Sequence, residues 1–169
     1  TDEAPNWQPS RVPALTWKEL DWLRSLTTLP LVLKGIRTAE DAPIAMDCGV
    51  NGVLVSTHGG RQMDATLSAV ESLPEIVEVC SGRAEVYLDS GVRRGSDVLK
   101  ALALGARAVA VGRPLYWGLA VNGAEGVHGM LELLRQELDQ VLGYCGQTDV
   151  QHLEPRLVTV PHSWGNGPM

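Results

Sequence analysis

A histidine followed by two glycines and an arginine, His58-Gly59-Gly60-Arg61, forms a compact set of groups for moving a proton on an anionic substrate. Imidazole exchanges a proton near neutral pH, and a guanidinium can grip a carboxylate with two parallel hydrogen bonds. The two glycines leave the ring room. Three other polar clusters also follow short apolar runs: Lys34-Gly35, Asp89-Ser90-Gly91-Val92-Arg93-Arg94 and Gly112-Arg113. Gly91 and Gly112 free the backbone to approach a ligand, and Arg93 and Arg113 add fixed positive charge, so together they read as a phosphate clamp assisted by helix N-termini. A cation at Lys34 could stabilise negative charge that develops on a cofactor or an intermediate. Each reading has a plainer alternative. His58 could be structural, Arg93 and Arg113 could be surface residues paired with acids, and Lys34 could pair with Asp89. His128, His152 and His162 fall on a late helix or in the tail and read as structural.

The elements that would position these groups come from an internal repeat. Displaced by 56 residues, Gly35, Arg37, Asp41, Ala45, Gly49, Val53 and Val55 fall on Gly91, Arg93, Asp97, Ala101, Gly105, Val109 and Val111. Each copy reads as a short strand, a glycine turn, an amphipathic helix, a second glycine and another strand. The strands are Leu31-Val32-Leu33, Val53-Leu54-Val55, Val86-Tyr87-Leu88 and Val109-Ala110-Val111. Apolar strands alternating with helices indicate a buried parallel sheet. Thr38 and Ser96 are expected as helix N-caps, and Gly49 and Gly105 as C-terminal stops. Further helices are expected over Thr16 to Ser25, about Ala65 to Gly82, and Gly126 to Gly143, where apolar residues from Val127 to Leu142 fall near one face. The fold class is α/β. A (β/α)8 barrel typically takes about 250 residues, so four βα units read as half of one, roughly strands 5–8, with the polar clusters at the C-terminal strand ends where barrels place their chemistry. A small doubly wound sheet would carry G-x-G-x-x-G after its first strand, and Lys34-Gly35-Ile36-Arg37-Thr38-Ala39 lacks it.

Composition bounds the function. The 169 residues carry a net charge of -6, which argues against a general nucleic-acid binder. No apolar run approaches the roughly 20 residues of a membrane span. Cys48, Cys80 and Cys145 form neither a disulfide framework nor a zinc pattern, so reduced thiols, a cytoplasmic location and no metal are the expectation. Residues 1–15, polar and punctuated by Pro5, Pro9 and Pro13, read as a flexible lead-in, residues 16–160 as the half-barrel, and 161–169 as a loose tail.

Four runs resemble the FMN-dependent α-hydroxy acid oxidase family (glycolate oxidase, lactate oxidase, mandelate dehydrogenase and relatives). They are Leu29 to Gly35, Val55 to Asp64 (with Ser56-Thr57-His58-Gly59-Gly60-Arg61-Gln62 at its centre), Asp89 to Gly95, and Ala101 to Ala106 continuing through Val111 to Pro114. The narrower likeness is to the family's mandelate-oxidising members. The resemblance implies a (β/α)8 flavoenzyme that oxidises an (S)-2-hydroxy acid to the 2-oxo acid, passing two electrons to FMN and then to O2. It implies His58 as the active-site base and Arg61 as the ligand of the substrate carboxylate. It further implies Lys34 beside the flavin N1 and C2 carbonyl, Ser56 in contact with FMN, and Asp89, Ser90, Gly91, Val92, Arg93, Gly112 and Arg113 around its ribityl chain and phosphate. The family usually has Asn where Thr57 stands and Gly where Ser90 stands. A side chain at Ser90 is expected to be tolerable only if its backbone avoids positive φ.

The resemblance also implies a partner, an N-terminal half-barrel carrying the remaining flavin and substrate contacts, and leaves room for a homo-oligomer. Two other readings remain. One is a different phosphate-binding barrel, such as an inosine-monophosphate-dehydrogenase-like enzyme, which would need a nucleophilic cysteine on a catalytic loop. The other is a half-barrel that binds flavin or phosphate without turnover.

Overall fold

The structure, a computed structural model, describes residues 16–161, so the expectations for the lead-in, for His162 and for the rest of the tail lie outside the described residues. Four strands, β1 (Val32–Lys34), β2 (Gly52–Val55), β3 (Glu85–Leu88) and β4 (Ala108–Val109), form one sheet in the order β1-β2-β3-β4, every neighbouring pair parallel. Helix α1 (Lys18–Leu26) precedes β1, helices α2 (Asp41–Asp47), α3 (Ala69–Cys80) and α4 (Gly95–Ala103) make the crossovers, and α5 (Arg113–Tyr144) follows β4. Parallel neighbours in sequence order, each pair joined by a helix, are the repeating unit of a (β/α)8 barrel, and this chain supplies four such units.

The register sorts the strand residues onto two faces. Leu33, Val53, Val86 and Val55, Leu88, Val109 align across the ladder, and these residues pack with Ala42, Ala45, Leu73, Ile76, Cys80 and Ala101 from the helices into the core. The opposite face, with Val32, Lys34, Leu54, Tyr87 and Ala108, is half-buried or exposed; Val32 is 49% exposed. The strands are thus buried on the helix-covered face and open on the other, as expected of half a barrel. The helices cover a single side, as they do in a barrel, and β1 and β4 are open edges within the described residues.

Local chemistry sets the element ends. Helix α3 starts at Ala69, four residues after the expected Ala65, because Ser68 and Glu71 form a reciprocal capping box, with the Glu71 carboxylate accepting the Ser68 N–H at 2.8 Å. Helix α2 begins at Asp41 with Glu40 at its N-cap, so Thr38, expected there, stands two residues earlier, its hydroxyl accepting the Asp41 N–H at 3.2 Å. Ser96 is not the cap of α4. The Asp97 carboxylate takes the N–H groups of Arg93 and Arg94 at 3.0 and 3.1 Å, which moves the helix start to Gly95 and leaves Ser96 inside. Gly49 and Gly105 do end their helices, with φ of +79° and +101°. At Gly105 a Cβ would come within 2.7 Å of Val77, so both the turn and the packing exclude a side chain.

The largest departure is α5. The helix expected from Gly126 starts at Arg113 and folds at Asn122 and Gly123, whose backbone leaves the helical region. The two segments touch at Gly118 and Gly126, where an added Cβ would lie 2.4 and 1.9 Å from the facing backbone. The first segment escapes a search for apolar periodicity because Tyr116, Trp117, Leu119 and Val121 are all at least half exposed, so no buried stripe runs along it. Strand β4 is shorter than expected, ending at Val109 before the chain turns toward Gly112. Among the described residues no helix is long and apolar enough to cross a membrane.

Candidate active site

The β2–β3 register places Val55 opposite Leu88, so Ser56 and Asp89, the next residues, leave the sheet side by side on the open face. Lys34, at the end of β1, reaches up to both. Its Nζ lies 2.6 Å from Asp89 Oδ2 and 2.5 Å from Ser56 Oγ. The ion pair foreseen as the plainer reading of Lys34 is thus formed, and it stands inside the strand-end cluster. Burial alone would raise the Asp89 carboxyl, but hydrogen bonds from Lys34, Ser56 and Ser90, with the Lys34 charge, outweigh it and hold Asp89 below the ordinary aspartate value.

The loop after β2 bends sharply over this cluster. His58, Gly59 and Gly60 all have positive φ (+53°, +71° and +72°), and the loop closes on itself through the Gly60 N–H to the Thr57 carbonyl at 2.9 Å. Ser56 Oγ accepts the His58 N–H at 3.1 Å. Ser90 Oγ accepts the N–H groups of Thr57 and Gly59 at 3.2 and 3.1 Å and donates to Asp89 Oδ1 at 2.7 Å. The His58 ring lies against Gly35, where a Cβ would come 3.0 Å from its Cε1. Gly35 itself has φ of +99°, so glycine serves there as both turn and ring seat.

Ser90 corrects the expectation that its backbone would avoid positive φ, because its φ is +72°. The left-handed conformation is held by a hydroxyl whose one donor and two acceptor positions are all engaged within the protein. A cofactor contact at Ser90 therefore falls to its backbone.

The four residues expected to clamp a phosphate, Gly91, Arg93, Gly112 and Arg113, come together on one cavity wall. Among the described residues, neither Arg93 nor Arg113 is paired with a carboxylate, and neither is Arg61. The guanidinium of Arg93 stacks over Trp117 at 5.8 Å from the ring centroid. Arg113 donates to the Gly59 carbonyl at 3.2 Å, so the β4 end touches the His58 loop. One part of the expectation changes. Three N–H groups leading into α4 are already taken: those of Arg93 and Arg94, just before the helix, by Asp97, and that of Gly95, its first residue, by Glu137 at 2.9 Å. Those three N–H groups are therefore unavailable to a phosphate, whereas the Arg93 side chain on the cavity wall is available.

A cavity of about 320 Å³ gathers these groups. Lys34, His58, Arg61, Asp89, Ser90, Gly91, Val92, Arg93, Gly112 and Arg113 all line it. Ser56 is the one expected site residue off its wall; it is buried and hydrogen-bonded to Lys34. A second hollow of about 170 Å³, lined by Gly35, Thr57, Gln62 and Met63 among others, lies on the other side of His58. Tyr116 lines the cavity that holds His58 and Arg93, Trp117 supports Arg93, and neither stands out in the sequence. Pro114, favoured at the first turn of a helix, was the signal that could have placed both on a helix beside Arg113.

Three fixed cations, a lysine and one imidazole around an open cavity suit an anionic ligand and a proton transfer. Cys80 is buried, and burial pushes its thiol up despite the opposing charge of Arg83; none of the three cysteines lines the cavity. The nucleophilic thiol that the inosine-monophosphate-dehydrogenase-like reading requires is not at this site. Among the described residues no three His, Cys, Asp or Glu side chains come together to hold a metal ion.

Comparison with known proteins gives a consistent picture. The family model described as FMN-dependent dehydrogenase matches residues 2–160. The chain is 51% identical over 146 residues to mouse 2-hydroxyacid oxidase 1, covering 86% of this chain and 40% of that protein. It is 50% identical over 142 residues to an L-lactate oxidase from Nostoc sp., covering 84% of this chain and 39% of that protein. A solved structure of mandelate oxidase with (S)-4-hydroxymandelic acid matches with a TM-score of 0.78 and 50% identity, over 80% of this chain and 38% of that one. Another, of a mandelate oxidase mutant with the monooxide FMN adduct, matches equally well over 43% of its chain. The chain thus spans about two fifths of the length of the relatives it matches.

Proposed function

The chain belongs to the FMN-dependent dehydrogenase family, and from that premise we propose that its strand ends form one side of an active site that oxidises a 2-hydroxy acid to a 2-oxo acid with FMN. The observation that carries the reading is the cavity itself, where His58 stands among arginines that no carboxylate neutralises among the described residues.

The residues fit an FMN phosphate. Gly91 and Gly112 have nothing within 4 Å of where a Cβ would stand, so the backbone there is open to a ligand, and Arg93 and Arg113 flank it with positive charge. Asp89, Val92 and the backbone of Ser90 would meet the ribityl chain, and Lys34 and Ser56 would lie toward the ring. When bound, FMN would supply the acceptor for two electrons and one proton of the substrate and pass them to O2, in keeping with relatives that are named oxidases. Arg61 binds the substrate carboxylate with its guanidinium fork and thereby fixes the carbinol carbon. The His58 imidazole takes the other proton, from the hydroxyl or from Cα. Mandelate-like acids are the favoured substrates on the resemblance of the sequence motifs, with lactate-like acids the alternative because the chain is 50% identical to both a mandelate oxidase and an L-lactate oxidase. The rest of the site comes from an N-terminal half-barrel, a reading supported by the open edges β1 and β4 and by exposed Trp22, Leu26, Leu29 and Val32.

The test is made on the complete barrel containing these residues. Flavin fluorescence should be quenched stoichiometrically by the protein, and a Arg93→Ala/Arg113→Ala variant should weaken FMN binding about a hundredfold, as expected from losing two charge-assisted contacts. The wild-type protein should convert (S)-mandelate to its 2-oxo acid. FMN bound without turnover of any 2-hydroxy acid would favour the non-catalytic reading instead.

A further inference from the structure

Two of the four non-glycine residues with positive φ among those described, His58 (+53°) and Ser90 (+72°), face each other across the mouth of the β2–β3 pair. Such conformations persist only where the surroundings over-determine them, and they concentrate at functional sites. At Ser81, another of the four, the left-handed backbone simply ends α3. Ser90 ends no helix. Its hydroxyl makes three hydrogen bonds, two of them to the backbone on either side of His58, at Thr57 and Gly59. The family resemblance places glycine here, which would adopt this φ freely but could make none of these bonds.

We propose that Ser90 is a positioning residue for His58, its hydroxyl holding the Thr57 and Gly59 amides so that the imidazole is fixed over Gly35. Orientation comes from Asp89. By accepting the Ser90 O–H, the carboxylate turns both hydroxyl lone pairs toward the loop. Lys34 and Ser56 hold the same carboxylate from the other side, and Ser56 accepts the remaining loop amide, that of His58. The Gly59 carbonyl is gripped in addition by Arg113. The loop backbone is thus pinned at every residue from Thr57 to Gly60, and Ser90 supplies two of the pins. Proton transfer is steeply sensitive to sub-ångström placement of the base, so loosening these pins should slow the reaction without emptying the site.

The inference rests on the proposed function for its kinetic half and stands alone for its structural half. Ser90→Ala and Ser90→Gly are compared in the complete FMN-loaded barrel. The first keeps the Cβ at positive φ and the second removes it, while both lose the hydroxyl. Amide hydrogen exchange at Thr57 and Gly59 should accelerate about tenfold in both, with the β2 and β3 amides unchanged. Anaerobic flavin reduction at saturating 2-hydroxy acid should slow about tenfold or more in both, with substrate and FMN affinities within about threefold of wild type. Unchanged exchange at Thr57 and Gly59 would overturn the proposal, as would a rate loss in the alanine variant that glycine restores, because that would assign the effect to backbone strain. If the wild-type barrel reduces no flavin with any 2-hydroxy acid, the functional reading fails, and exchange at the two amides still decides the role of Ser90.

Discussion

At the scale of single residues, the proposed function separates binding from proton transfer. Arg61 and the Arg93–Arg113 pair are open cations on the cavity wall, whereas His58 is placed by backbone geometry. Replacing His58 with asparagine should therefore lower kcat about a thousandfold while substrate affinity changes little, since a positioned base contributes on the order of 10²–10⁴. Arg61→Leu should act the other way, weakening substrate binding about a hundredfold through loss of a charge-assisted fork. Steady-state and anaerobic half-reaction kinetics separate the two cases. Asp89 carries a pH prediction. Its carboxyl is held below 3.8 in the fold, so the ionised form contributes stability that is present above that value and lost as pH falls through the lower folded one. The urea midpoints of wild type and Asp89→Asn should differ at neutral pH and converge as pH falls through the lowered folded value; a difference that persists once the carboxyl is fully protonated would assign the effect to packing.

At the scale of elements, the architecture depends on a few positions where two backbones meet. Gly95 opens α4 against α5, and an added Cβ would stand 2.1 Å from the Leu138 nitrogen. Because that neighbour is backbone, it cannot rotate away, so Gly95→Ala should destabilise the protein by about 1–3 kcal/mol, measured by denaturant titration. It should also disturb the Arg94 and Glu137 contacts beside Arg93. The strand–helix order and the clustering of His58, Arg61, Arg93 and Arg113 could be read from the sequence because both follow from periodicity and from where apolar runs stop. Other features could not. Ser96 looked like a cap until Asp97, a charged acceptor one residue on, took the N–H groups. The first segment of α5 buries no stripe that periodicity could detect. The conformation of Ser90 depends on three partners, two of them more than thirty residues away in sequence, and no local rule anticipates it.

At the scale of the whole molecule, the described residues form a sheet with one covered face, two open edges and large apolar side chains at the surface, including Trp22, Leu29 and Val32. Such a surface favours association. The 169-residue chain alone should self-associate in sedimentation experiments and become a defined soluble species when an N-terminal half-barrel is co-produced; a stable monomer with a closed core would contradict the half-barrel account. The most direct measurement of the central claim is the anaerobic visible spectrum of the complete FMN-loaded barrel, before and after (S)-mandelate and then (S)-lactate. The account predicts that the oxidised flavin bands bleach with at least one of them, and that the bleaching rate collapses in His58→Asn while bound flavin is retained. A complete barrel that fails to retain FMN, or one whose bound FMN stays oxidised with every 2-hydroxy acid, would contradict it.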